Sequence, residues 1–198
     1  MRILTVTTAV ALAMTAAACN RNDAGNTIST DANLAEDATV NDVLGANFAA
    51  NEPAAMPTDA TGFARAVAAS DLFEIESAKI AADKGGSAEV KAFAKQLRTD
   101  HEKSTADLKA AAAKATPTVT VTPALDAEKQ RMLNQLKGAN GADFDRVFID
   151  QQTNAHQKAL AMLQDYVGKG DSQPLKDFAS KAATVVEGHL DQVNRIRK

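Results

Sequence analysis

The sequence predicts an all-α protein: a ferritin-like four-helix bundle with a long crossover containing a short extra helix. Three observations lead there. Four stretches of about 24 to 29 residues repeat apolar side chains at helical spacing. Glycine or proline breaks separate them, tight in the first and last joins and long in the middle one. Alanine is abundant while aromatic content is only 4% with no Trp, which favours helix and close helix packing.

Residues 1–18 read as a secretory signal. Arg2 gives a positive start, and Ile3 to Ala18 form an apolar stretch too short for a membrane span. The stretch ends Ala16-Ala17-Ala18-Cys19, and Cys19 is the only cysteine. It has no partner for an internal disulfide, and directly after a signal core it is a candidate for lipidation. The Leu usual three places before such a cysteine is Ala16 here. The alternative is ordinary cleavage that leaves a soluble periplasmic protein. Asn20 rather than Asp follows Cys19, so the inner-membrane retention pattern is absent. The expectation is an outer-membrane lipoprotein facing the periplasm, with the membrane as its partner through the lipid. Residues 19–57, rich in Asn, Asp, Ala and Thr, are expected to form a flexible polar tether, with a candidate short helix around Glu36 to Phe48.

The bundle is expected over residues 58–198. The first helix runs from about Thr58, with Thr58 or Asp59 as cap, to Asp83; Phe63, Val67, Ser70, Phe73, Ile80 and Ala81 share a face. Lys84-Gly85-Gly86 ends it. Ser87 caps the second, which runs to about Ala115 with Val90, Phe93, Ala94, Leu97, Leu108 and Ala112 inward. Thr116 to Pro123 alternates like a strand but lacks a partner and is expected to be an extended linker. A short helix over Ala124–Lys137 carries Leu125, Met132, Leu133 and Leu136, and Gly138 to Gly141 breaks it. The third long helix, about Ala142 to Val167, turns Phe144, Phe148, Ala155, Ala159, Leu163 and Tyr166 inward. The fourth starts near Asp171 or Ser172, with Pro174 in its first turn and Leu175, Phe178, Ala182, Val186, Leu190 and Val193 inward.

Polar residues interrupt these apolar faces. At 100° per residue, Glu74 lies about 20° from the line of Phe63 and Ala81. His101 follows Val90 by 11 residues, His156 follows Asp145 by 11 and Gln152 by four, and His189 follows Phe178 by 11. All three histidines of the chain therefore face inward, each from a different helix. At 1.5 Å per residue, and with the third helix starting at the same end as the first turn, Glu74, His101, His156 and His189 lie about 15, 21, 18 and 13 Å from that end. They share one middle layer. Three imidazoles and one carboxylate are a candidate metal set suited to Zn, Fe or Cu, with Asp100, Asp145 and Gln152 as candidates for supporting hydrogen bonds. The competing reading is a Glu–His hydrogen-bond network that sets helix register.

Other chemistry is missing from the sequence. It has no Gly-rich phosphate loop, no CxxC, no HExxH and no visible catalytic triad. Net charge is −3, and basic residues are scattered without aromatic neighbours, which argues against nucleic acid.

The runs FARAVAASDLFEIESAKIAADKGGSAEVKAFAKQLRTDHEKSTADL, GADFDRVFIDQQTNAHQKAL and PLKDFASKAATVVEGHLDQV resemble the bacterial family of unknown function DUF4142 over about residues 60 to 195. The resemblance implies a ferritin-like helical domain, often of exported or outer-membrane proteins, with Glu74, His101, Asp145, His156 and His189 at recurrent polar positions. It implies no established activity. A di-iron carboxylate cage needs Glu-x-x-His on two helices. Here Arg98 stands three before His101, Val186 stands three before His189, and Glu187 points about 200° away. Two readings follow. One is a non-enzymatic cell-envelope bundle, stress-related or interaction-related, with structural histidines. The alternative is a metal-binding or redox protein using the His/Glu layer. No catalytic residues are assigned.

Overall fold

The computed structural model describes residues 55–198; residues 1–54, on which the expected signal, Cys19, most of the expected tether and its candidate short helix around Glu36 to Phe48 fall, lie outside the described residues. Five helices follow in order: α1 (Ala60–Lys84), α2 (Ala88–Ala112), α3 (Ala127–Gly138), α4 (Gly141–Lys169) and α5 (Gln173–Ile196). All begin and end within a few residues of the boundaries expected from the sequence. Asp59 caps α1 by accepting from the Gly62 N–H at 2.7 Å, and Ser87 caps α2 by accepting from Val90 N–H at 3.2 Å. Among the described residues no helix is long and apolar enough to cross a membrane.

Contacts at the two ends define the connectivity. With the α1–α2 turn at the top, α4 starts beside it: the N–H groups of Gly86 and Ser87 donate to the Asp145 carboxylate at 2.8 and 2.9 Å. Gly86 is small for a reason, since a Cβ there would sit 3.2 Å from that same carboxylate. At the bottom, Tyr166 near the end of α4 stacks on Phe63 near the start of α1, ring centroids 3.7 Å apart. Phe178 near the start of α5 meets Phe63 edge-on. So α1 and α5 run up while α2 and α4 run down. Each helix packs antiparallel against two neighbours: α1 on α2 and α4, α5 on α4 and α2. The link from α2 to α4 climbs the whole bundle as a single long crossover that carries the short α3.

The crossover is less loose than its sequence predicts. The Val119 N–H donates to the Ala112 carbonyl at 3.1 Å, and Ala115 and Val119 are buried in the lower core. Above them, α3 lies on α1 and α4 and adds Leu133 and Leu136 to the upper core.

The apolar interior falls into two clusters. The upper one is built on Phe73, Phe93, Leu97, Phe144 and Phe148; the lower one on Phe63, Leu108, Leu163, Tyr166 and Leu175. Burying each such side chain stabilises the fold by about 1.5–3 kcal/mol. Between the clusters lies a buried polar layer of Asp71, Glu74, Ser77, His101, Gln152, His156 and His189.

Candidate metal centre

Three helices deliver the histidines to one point. His101 comes from α2, His156 from α4 and His189 from α5, with ring centroids 5.2–5.6 Å apart. Each ring offers one nitrogen to a cluster whose three atoms lie within 4.8 Å of one another.

Their partners decide which nitrogen is free. His101 Nδ1–H donates to Asp71 Oδ1 at 2.8 Å, and Thr105 Oγ1 donates to the other oxygen of Asp71 at 3.2 Å. His156 Nδ1–H donates to the Gln152 carbonyl at 2.9 Å. His189 Nε2–H donates to Asp100 Oδ2 at 2.9 Å. All three acceptors are oxygens that can only accept, so each fixes the hydrogen on the nitrogen facing it. What remains is His101 Nε2, His156 Nε2 and His189 Nδ1. Of these, His156 Nε2 and His189 Nδ1 face each other at 3.2 Å, and His101 Nε2 is buried without any partner. In neutral rings these are lone pairs, which repel at that separation unless a cation lies between them. Two nitrogens on a tetrahedral ion, each bound at about 2.0–2.1 Å, would themselves be separated by a little over 3 Å. The donor set therefore fits a metal ion, and its hydrogen-bonded outer partners are the kind that orient metal-binding histidines.

Electrostatics divide the layer. Burial works against charging His101, but the hydrogen bond to Asp71 and the fields of Glu74, Asp71 and Asp100 outweigh it and hold its pKa above the usual value. Burial, reinforced by repulsion from His101 and His189, pushes His156 down to about 3. Burial also lowers His189, although Asp100 opposes it. Glu74 is enclosed, and burial raises its carboxyl to about 7, with His101 and Gln152 pulling the other way.

The residues expected from the sequence divide into three groups. His101, His156 and His189 come together. Asp100 and Gln152 lie beside them and hold two of the rings. Glu74 shares the layer, but its Oε1 is 3.9 Å from Nδ1 of His156, the nitrogen already spent on Gln152, and its Oε2 has no partner. Asp145 is elsewhere: it caps the top turn, 11 residues or about 16 Å along α4 from His156. It shares the inner face, which is why the helical wheel groups it with the site, but not the level. The wheel missed Asp71. Its signal was an acid in the apolar run Val67–Phe73, one turn before Glu74.

A groove of about 610 Å³ opens between the lower halves of α2 and α5. Val67, Leu163, Phe178 and Val186 line its floor, and Asp71, Asp100 and His101 line its upper end.

The profile of the family "Domain of unknown function (DUF4142)" matches residues 45–196, and the chain belongs to that family. No curated protein matches it. Among solved structures it resembles CopM: the Cu(II)-bound form at a TM-score of 0.58 and 19% identity, over 69% of this chain and 94% of that one. The Cu(I)-bound form matches at 0.57 and 19%, with the same coverage. The apo form matches at 0.57 and 20%, again over 69% and 94%. At these identities the likeness concerns the fold.

Proposed function

We propose that this DUF4142 member is a transition-metal-binding protein whose three histidines hold one ion, and that the ion is copper. The observation that carries the reading is the convergence of three ring nitrogens whose hydrogens are held on the opposite side by Asp71, Gln152 and Asp100. His101 Nε2, His156 Nε2 and His189 Nδ1 would be the ligands, and the ion would supply the positive charge that relieves their lone pairs. Glu74 contributes charge rather than a bond. Imidazole suits Zn, Fe and Cu alike, but Cu(II) binds nitrogen donors most tightly of the divalent first-row ions. Similarity in fold to CopM, seen with Cu(I), Cu(II) and Ag, supports the same choice.

The other reading, a layer that only sets helix register, accounts for the three outer hydrogen bonds. It leaves the His156–His189 contact and the orphaned His101 nitrogen unexplained. The signal-like N-terminus and Cys19 support placing this site outside the cytoplasm on a lipid-tethered bundle. Fatty-acid labelling at Cys19 tests the tether, and processing without label removes it.

Metal analysis of protein purified without a histidine tag tests the main proposal. One equivalent of copper is expected in the wild type after loading and dialysis, and none in the His101→Ala/His156→Ala variant. Metal content that is substoichiometric in the wild type, or equal in both, sinks the reading.

A further inference from the structure

We propose that Glu74 biases the three-histidine site toward a divalent ion over a monovalent one, acting through its charge and not through a bond. The inference rests on the metal reading and adds what selects the ion. The layer holds three carboxylates, and two of them are already answered. Asp71 accepts from His101 through Oδ1 and from Thr105 through Oδ2. Asp100 accepts from His189, and its side chain is 32% exposed, so water screens its charge. Glu74 differs on both counts. Its side chain is 2% exposed, and its Oε2 is enclosed without a hydrogen-bond partner. Among the described residues no Lys or Arg pairs with it within 4 Å. A carboxylate enclosed in that way is costly unless a positive charge lies near it.

The ion would be that charge. Glu74 Oε1 is 3.9 Å from Nδ1 of His156, and the free Nε2 is on the other side of the same ring. An ion about 2 Å beyond Nε2 therefore lies no more than about 8 Å from Glu74. His101 carries no charge once its Nε2 lone pair is spent on the metal, so the ion alone answers Glu74. Both Glu74 and the ring between it and the ion are 1% exposed, which keeps solvent from screening the pair. At that distance and an effective dielectric of about 20, each unit of charge on the ion is worth about 30-fold in affinity. A divalent ion gains twice the energy of a monovalent one, hence about 1000-fold against about 30-fold. This bias adds to whatever the imidazoles select by ligand type.

Cu(II) and Ag(I) affinities of the full-length protein, measured by chelator competition in chloride-free buffer at pH 8, are the test. Glu74 is ionised there even without a metal. Glu74→Gln should weaken both ions and lower the Cu(II)/Ag(I) affinity ratio by about tenfold or more. Damage to the ligand geometry alone would weaken the two ions alike and leave the ratio in place. Glu74→Asp, which keeps the charge, should hold the ratio within about threefold of the wild type. The Cu(II) EPR spectrum of Glu74→Gln should match that of the wild type, because no bond to the metal is lost. A ratio that falls by less than about tenfold in Glu74→Gln overturns the inference while leaving the metal site standing. So does a ratio that collapses equally in Glu74→Asp, or an altered EPR spectrum, which would make Glu74 a ligand. Should Glu74→Gln fail to fold, Glu74→Met, neutral and of similar length, takes the same comparison. If the wild type takes up neither ion, the metal reading fails and this inference falls with it.

Discussion

The two halves of the bundle are built differently on either side of the histidines. The upper half is rich in large rings: Phe144 stacks on Phe148, and Phe93 meets Phe148 edge-on. It is also sealed on one side by α3, through Leu133 and Leu136. The lower half relies more on small residues, Ala64, Ala68, Ala112, Ala115 and Ala179 around the Phe63–Tyr166 stack, and opens into the groove. Phe93 also touches His189 edge-on, at 6.1 Å between centroids. The upper half thus packs against the rings, and the lower half opens into a groove that reaches the layer at His101. Preorganised ligands need packed support. Here the packing above the layer is dense and the packing below it leaves a groove.

That contrast can be broken or sharpened by substitution. Phe93→Ala should cost about 3–5 kcal/mol by emptying the upper core, whereas Val185→Ser on the half-exposed lip of the groove should stay within about 0.5 kcal/mol; urea unfolding of the two variants measures the difference. A loss at Phe93 as small as that at Val185 would mean that the upper core is not closely packed around this ring.

Glu74 tests the layer between them. Its carboxyl moves from an ordinary 4.5 to about 7 in the fold, so the native state holds this proton more tightly than the unfolded chain does. The associated stability is fully present below pH 4.5 and is lost as pH rises through 7. Between pH 5 and pH 9 the metal-free wild type should therefore lose about 3 kcal/mol more than Glu74→Gln. Parallel pH curves for the two proteins would exclude a buried, strained carboxyl.

The smallest effect concerns the outer partners. Asp100 is only partly buried, so Asp100→Ala should leave the fold almost untouched and lower metal affinity by about 10–100-fold, or about 1.4–2.7 kcal/mol. Competition with a chelator measures it. Unchanged affinity would mean that His189 is oriented by packing against Phe93 alone.

Much of this arrangement is legible in the sequence because it is local. Helix faces follow from period, breaks follow from Gly85-Gly86 and Gly138 to Gly141, and the common level of His101, His156 and His189 follows from counting rise along each helix. Lateral pairing is not local. Asp71 lies about 60° from Glu74 on the wheel, and its partner His101 is 30 residues away on α2. How far α1 and α2 rotate against each other decides whether they meet, and no single-helix pattern encodes that rotation. Asp145 is a different case: the wheel gives its inward face, but its height, 11 residues before His156, belongs to the top turn. The groove was invisible for a related reason: it exists where two faces fail to fill the space between them.

The crossover separates the bundle into two hairpins, α1–α2 and α4–α5, and the triad draws on both: His101 from the first, His156 and His189 from the second. An ion gripped by all three would clasp halves that the chain joins only through a long, mostly non-helical strap. By mass action such an ion favours the docked pair over any separated form. Metal binding would then raise the unfolding midpoint of both hairpins together, as one unit.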